Sequence, residues 1–374
     1  MKIGILTLDL NKNYGGILQC YALQTVLERM GNEVSVLYVK KVAWYIRLRL
    51  IFSRFIKAYI LKTEPEYYGM KTGMEILMQN TQPFINKYIR LKKVQDWQCF
   101  SEKDFNAIIV GSDQIWRPFY FQPIQNAYLS FAQSWKNIKR IAYAASFGTD
   151  EWEYTSEETK VCSELIKKFD AVSVRELSGV NLCRKYLQIN AIQLVDPTLL
   201  LSPDDYLSII SDATLTERRN GLLCYILDGT EEKYQFTNIL ATQKGLTPFL
   251  VNNPKTETDE YFADRIQLPV DQWIAGFRDA EFVVTDSFHG CIFSILFNKP
   301  FVVIGNTIRG MSRINSLLKI FHLENRLVMV GDTQAFLERS SIPWEEINCT
   351  LEKERKRAFE FLNQNLANTK KLFY

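Results

Sequence analysis

Short apolar runs alternate with stretches of helical periodicity along this chain. The opening "KIGILTL" (2–8) is one such run. A polar, glycine-containing loop, "DLNKNYGG" (9–16), a helical pattern, "ILQCYALQTVLERM" (17–30), a stopping Gly31 and a second apolar run, "EVSVLYV" (33–39), follow it. Together they predict a strand, loop, helix, strand unit. The scheme recurs at "NAIIVGS" (106–112), "RIAYAAS" (140–146), "DAVSVRE" (170–176) and "AIQLVDP" (191–197). Continuous apolar runs separated by helices predict a parallel sheet with helices on both faces. At "DPTLLLSPDD" (196–205), Pro197 and Pro203 interrupt regular structure, and Ser202 before Pro203 marks a helix start. The alternation then restarts at "GLLCYILD" (221–228), "TPFLVNN" (247–253), "EFVVTDS" (281–287) and "PFVVIGN" (300–306).

The fold class expected is therefore α/β, with two Rossmann-like domains facing a cleft. Residues 1–195 form the N-terminal domain and 196–350 the C-terminal one. The charged amphipathic stretch 351–374 is expected as a helix packing back across the interface. A length of 374 residues suits two cores rather than one.

Composition adds exclusions. Hydrophobic residues at 47% and charged residues at 23% describe an ordinary folded chain. A net charge of +3 supplies no global field that would select nucleic acid. The seven cysteines are scattered without a CxxC pair, which argues against a zinc site or a disulfide framework and for a reducing compartment. The first residues read as a strand rather than a secretory leader, and no run reaches membrane-spanning length. A cytoplasmic protein is expected. One stretch, "AWYIRLRLIFSRFIKAYILK" (43–62), is apolar with basic residues spread through it. It suits peripheral contact with the inner face of a membrane, or a helix packed on its own domain with snorkelling basic ends.

In open α/β sheets, ligands lie beyond the carboxyl ends of the strands, so the residues just after each strand are the candidates. Asn13, Tyr14, Gly15 and Gly16 lead into a helix, where backbone N–H groups can approach an anion; a tight turn needing glycine is the alternative. The loop lacks the G-x-G-x-x-G and Walker A spacings, which disfavours nicotinamide and P-loop chemistry. Ser112, Asp113, Gln114 and Trp116, in "GSDQIW", place polar groups beside an indole, which suits a sugar, although Asp113 could instead cap a helix. Arg175 follows an apolar strand and suits a carboxylate or phosphate, or else an ion pair with Glu176 or another acid. His289, in "TDSFHG" (285–290), is one of only two histidines and falls in the first turn of an apolar helix, where the positive end favours its neutral form. Arg309 and Arg313 follow the next strand. The other histidine, His322, reads as structural. With no hydrolase triad order, HExxH or acidic cluster, what remains is acid–base work on an anionic donor.

These residues also carry a resemblance. "NYGGILQCYALQTVLERMGNEV", "GSDQIWRP", "IAYAASFG", "DAVSVRELSGV", "LVDPTLL" and "FVVTDSFHGCIFSILFNKPFVVIGN" together resemble the polysaccharide pyruvyl transferase family, in the family's order, over roughly residues 1–320. The resemblance implies a fold similar to GT-B glycosyltransferases. It implies transfer of a pyruvyl group from phosphoenolpyruvate to a sugar of an exopolysaccharide or other glycan, as a cyclic ketal. Phosphoenolpyruvate enters as donor substrate, and no cofactor and no metal are implied. The acceptor is a glycan or lipid-linked sugar. The N-terminal domain is expected on the acceptor side, with Asn13 to Gly16, Ser112 to Gln114 and Trp116, and the C-terminal domain on the donor side. His289 matches the family's catalytic histidine; Arg175, Arg309, Arg313, Ser287 and Gly290 are the expected donor-binding residues. Where the family motif has arginine two residues before its histidine, this chain has Ser287, and Arg309 or Arg313 is expected to replace that cation. The competing readings are a GT-B nucleotide-sugar glycosyltransferase and a non-catalytic glycan-binding relative.

Overall fold

A computed structural model of the chain describes residues 1–39, 73–216, 219–253, 265–305, 311–329 and 341–367. The basic apolar stretch 43–62 and Arg309 lie outside the described residues. Among the described residues, twelve strands form two wholly parallel sheets.

The first sheet contains β1 (Lys2–Leu6), β2 (Glu33–Val39), β3 (Leu91–Val94), β4 (Ala107–Val110), β5 (Lys139–Ala145), β6 (Ala171–Val174) and β7 (Ile192–Gln193). Their order is β3-β2-β1-β4-β5-β6-β7. Central strands such as β4 are buried along their whole length, as a sheet covered on both faces requires. The second sheet contains β8 (Gly221–Tyr225), β9 (Pro248–Leu250), β10 (Ala280–Thr285), β11 (Phe301–Ile304) and β12 (Leu327–Val328), in the order β12-β11-β10-β8-β9. The apolar runs of the sequence become strands, but "AIQLVDP" contributes only two strand residues before Asp196 and Pro197 turn away into a 3-10 helix. The edge strands β3 and β12 have no counterpart among those runs.

Each sheet reverses its direction of growth once, between β1 and β4 in the first and between β8 and β10 in the second. Registration is level at both places: Leu6 pairs with Val110, and Thr285 with Tyr225. The chain leaves each pair at one height, and the diverging connections open a crevice there.

Aromatic packing joins the halves. The Tyr14 hydroxyl donates to the Leu268 carbonyl at 2.7 Å, and its ring stacks on Trp273 with centroids 5.3 Å apart. Ser202 caps the short helix Pro203–Leu207 as its sequence indicates. The last described helix, Trp344–Leu366, returns to the first sheet: Lys139 Nζ donates to the carbonyls of Asn365 (2.8 Å) and Ala367 (2.6 Å), and Arg355 donates to those of Leu199 and Leu201. Among the described residues, no helix is long and apolar enough to cross a membrane.

Candidate active site

The loops leaving β1, β4, β8 and β10 meet where the two crevices face each other. From the first comes helix Tyr14–Arg29, and from the last helix Phe288–Leu296, an apolar helix capped by Ser287, whose Oγ accepts from the Gly290 N–H at 3.4 Å. The two helix starts interlock. A Cβ at Gly15 would sit 2.0 Å from His289 Nδ1, so the imidazole of one half rests directly on the bare backbone of the other.

Beneath the imidazole lies a buried charge network. Arg175, with a side chain only 1% exposed, donates from Nη1 to Asp196 Oδ2 at 2.7 Å, and its Nη2 lies 3.6 Å from Asp113 Oδ1. Asp196 also accepts from the Ser112 hydroxyl at 3.3 Å and, through Oδ1, from the Thr198 amide (3.0 Å) and hydroxyl (2.7 Å). Burial opposes charge on Arg175, but Asp196, Asp113 and Glu176 outweigh it and hold its pKa above the ordinary value. Burial likewise opposes charge on Asp196, and Arg175, His289 and the Thr198 hydrogen bonds hold its pKa below the ordinary value. Glu176 is not the ion-pair partner of Arg175; its Oε1 accepts from Ser146 Oγ and from the amides of Phe147 and Gly148.

His289 lies above this network without an opposite charge in hydrogen-bonding range. Burial, partly offset by Asp196 and reinforced by Arg175, lowers its pKa to about 4. Its Nε2 stands 3.9 Å from Asp196 Oδ2 and has no hydrogen-bond partner. A neutral ring at that distance is a neighbour of the carboxylate rather than an ion pair. Phe288 supports both arginines, with Arg175 Cζ 4.5 Å and Arg313 Cζ 5.8 Å from its ring centroid. Burial and the like charge of Arg175 lower the Arg313 pKa to about 10. A pocket of about 50 Å³ opens here, lined by Asn13, Asp113 and Gln114 from the first half and by Ser287, His289 and Arg313 from the second.

Several expected site residues sit elsewhere. Trp116 offers no face to a ligand: it is fully buried, stacks on Tyr128 at 5.1 Å, and donates Nε1–H to the Ala127 carbonyl. It is core because the chain turns its indole inward as Gln114 turns toward the pocket. Tyr14 is spent on the joint between the halves. Ser112 is fully buried, its hydroxyl donating to the Ala144 carbonyl at 2.6 Å, so it braces the loop from below. Gly290 gives its amide to Ser287, and its lack of a side chain lets the helix approach Thr285, whose Oγ1 would lie 2.2 Å from a Cβ. Gly16 packs against Asp113. His322 is exposed in a left-handed conformation after helix Ser312–Ile320.

Two contributors, Asp196 and Lys233, were not singled out by sequence reasoning; Phe288 and Asp286 lie in the post-strand stretch that was, but without a role of their own. Asp286 accepts from Lys233 Nζ at 2.7 Å and from the amides of Leu227 and Asp228, clamping the loop after β8 to the loop after β10. The sequence offered for Asp196 only an Asp-Pro step at the end of the apolar run 191–195.

A family model described as polysaccharide pyruvyl transferase matches residues 13–307. The chain belongs to the polysaccharide pyruvyl transferase family. The match spans every pocket residue named above except Arg313, and membership makes the chain a transferase acting in polysaccharide biosynthesis. No curated protein matches it. Among solved structures, a glycosyltransferase from Rickettsia africae ESF-5 is similar over 98% of this chain and 99% of its own, with a TM-score of 0.51 and 12% identity. A UDP-GlcNAc 2-epimerase from Neisseria meningitidis covers 96% of this chain and 94% of its own, with a TM-score of 0.48 and 12% identity. At such identity the likeness concerns fold alone, and the fold of this pyruvyl transferase family member is GT-B-like.

Proposed function

We propose that the chain transfers a pyruvyl group from phosphoenolpyruvate to a sugar of a polysaccharide or glycan precursor and closes a cyclic ketal across two of its hydroxyls. The observation that carries this reading is the seat of His289. A buried, neutral imidazole with an unpartnered Nε2 shares its pocket with a guanidinium and the positive end of a helix. Nε and Nη2 of Arg175 also have no hydrogen-bond partner. Groups of this kind suit a small substrate with a carboxylate and a phosphate. Residues 196–350 form the donor side, and Asn13, Asp113 and Gln114 face the acceptor from 1–195.

An anionic donor offsets the influence of Arg175 and Arg313 on His289 and favours its protonated form. His289 then delivers its proton to the methylene carbon, leaving C2 cationic. A sugar hydroxyl oxygen adds to C2, and its proton passes to the imidazole. The C2–phosphate bond breaks with its electron pair leaving on phosphate, which takes that proton. The second hydroxyl adds to C2, closes the ketal and returns a proton to His289. One proton has moved to carbon and one to phosphate, matching the two lost by the hydroxyls.

The test is the thermal stability of the purified chain across a titration of phosphoenolpyruvate, beside parallel titrations of uridine- and guanosine-diphosphate sugars, since a ligand of the native state raises apparent stability by mass action. A saturable shift with phosphoenolpyruvate, lost in Arg313→Ala, is expected. A shift only with a nucleotide sugar would replace this reading by glycosyl transfer.

A further inference from the structure

The segment after Gln114 turns outward and presents two aromatic side chains to solvent. Phe119 is 79% exposed and Tyr120 45%. Single exposed apolar side chains are common on protein surfaces, but a contiguous pair of exposed aromatic rings forms a patch of the kind that marks a binding surface. The pair is held in place: the rings meet edge to face, 5.1 Å apart at 82°, and the Arg117 guanidinium lies over both, 5.9 Å from Phe119 and 5.4 Å from Tyr120. Arg117 is itself pinned, donating from Nε and Nη2 to the Glu153 carboxylate at 2.9 and 2.8 Å.

The same arginine ties the pair to the pocket. Arg117 Nη1 donates to Oε1 of the pocket residue Gln114 at 3.4 Å. From the other side, the Tyr120 phenol lies within electrostatic reach of Arg313. A chain of contacts therefore runs from the pocket residue Gln114 through Arg117 to the two rings.

We infer that Phe119 and Tyr120 form a platform for a pyranose ring of the acceptor, next to the sugar that reacts; this rests on the glycan-modifying reading above. A pyranose has an apolar C–H face and a rim of hydroxyls. Two rings at nearly right angles receive the face, while Arg117 and Glu153 stand beside them for the hydroxyls. Continuity with the pocket favours a sugar over a lipid surface or a second copy of this chain, neither of which needs the path through Gln114.

Saturation-transfer NMR on the full chain with methyl pyranosides of glucose, galactose, mannose and N-acetylmannosamine tests this, with phosphoenolpyruvate present throughout. Saturation is expected on the ring C–H protons of at least one glycoside, weakened about fivefold or more in Phe119→Ala and in Tyr120→Ala. Both variants are expected to melt like the parent and keep the parent's shift with phosphoenolpyruvate. No saturation with any glycoside, or equal saturation in parent and variants, overturns the platform. So does loss, in the variants, of binding to phosphatidylglycerol vesicles or of a dimer in sedimentation, with sugar signals unchanged. The phosphoenolpyruvate shift reports separately on the donor, so its absence would count against pyruvyl transfer and leave the sugar result standing.

Discussion

The two halves of the site treat buried polarity in opposite ways. Around Arg175 at the end of the first half, charges are compensated: Arg175 lies between the carboxylates of Asp113 and the boundary residue Asp196, each oxygen of Asp196 is engaged, and Glu176 holds three donors. In the second half, a neutral histidine is left with an unpartnered nitrogen, and an arginine sits where burial and a neighbouring cation both disfavour its charge. The contrast separates a frame from a working face. Networks of opposite charge fix geometry, whereas buried groups whose charged form is disfavoured respond to whatever binds.

The largest break in this contrast comes from the frame. Asp196→Ala strands the Arg175 guanidinium in the interior and frees the Thr198 turn, so urea denaturation should show a loss of about 3–5 kcal/mol. A loss no larger than that of an average surface substitution would mean that Asp113 alone can hold Arg175.

Next comes the working face. An unfolded histidine takes its proton near pH 6.5, whereas folded His289 takes it only near pH 4. Between those values the unfolded chain binds the extra proton, so stability is full above the window and falls as pH drops through it, by about 3 kcal/mol in all. His289→Gln should flatten that slope when unfolding is followed from pH 7 to 4. Losses from the paired carboxylates come lower; Asp205, held at about 2 by Arg29, retains its contribution until pH falls below its ordinary range.

The smallest effect sharpens the contact between the halves. Alanine for glycine inside a helix ordinarily stabilises by reducing the freedom of the unfolded chain. At Gly15 the added methyl meets His289 Nδ1 at 2.0 Å. Gly15→Ala is therefore expected to reverse sign, costing about 1–3 kcal/mol by overpacking, and to move the His289 resonance in an NMR spectrum with only two histidines to assign. An unmoved resonance would place the imidazole elsewhere.

Much of this was legible in the sequence, for physical reasons that also explain the gaps. Buried parallel strands announce themselves as apolar runs, so the central strands of both sheets could be read directly. The edge strand Leu91–Val94 is "LKKV", half-exposed and basic, and Leu327–Val328 is two residues long; neither has room for a pattern. His289 stood out because imidazole is scarce here and a strand ends just before it. Asp196 did not, because its meaning lies in partners 21 residues away at Arg175 and 84 away at Ser112. Trp116 shows the opposite failure. Its polar neighbours lie beside the pocket, but side-chain direction is decided by packing, and the space beside Tyr128 took the indole.

The seat of His289 on Gly15 bears on ancestry as well as on chemistry. A buried side chain that rests in a notch cut into the other half makes the two halves poor candidates for independent exchange. Recombination between relatives that joined a notch-bearing front to a back with a different residue at 289, or the reverse, would meet a hole or a collision at the centre of the site. Drift in either half is thereby tied to the other through a single missing methyl group.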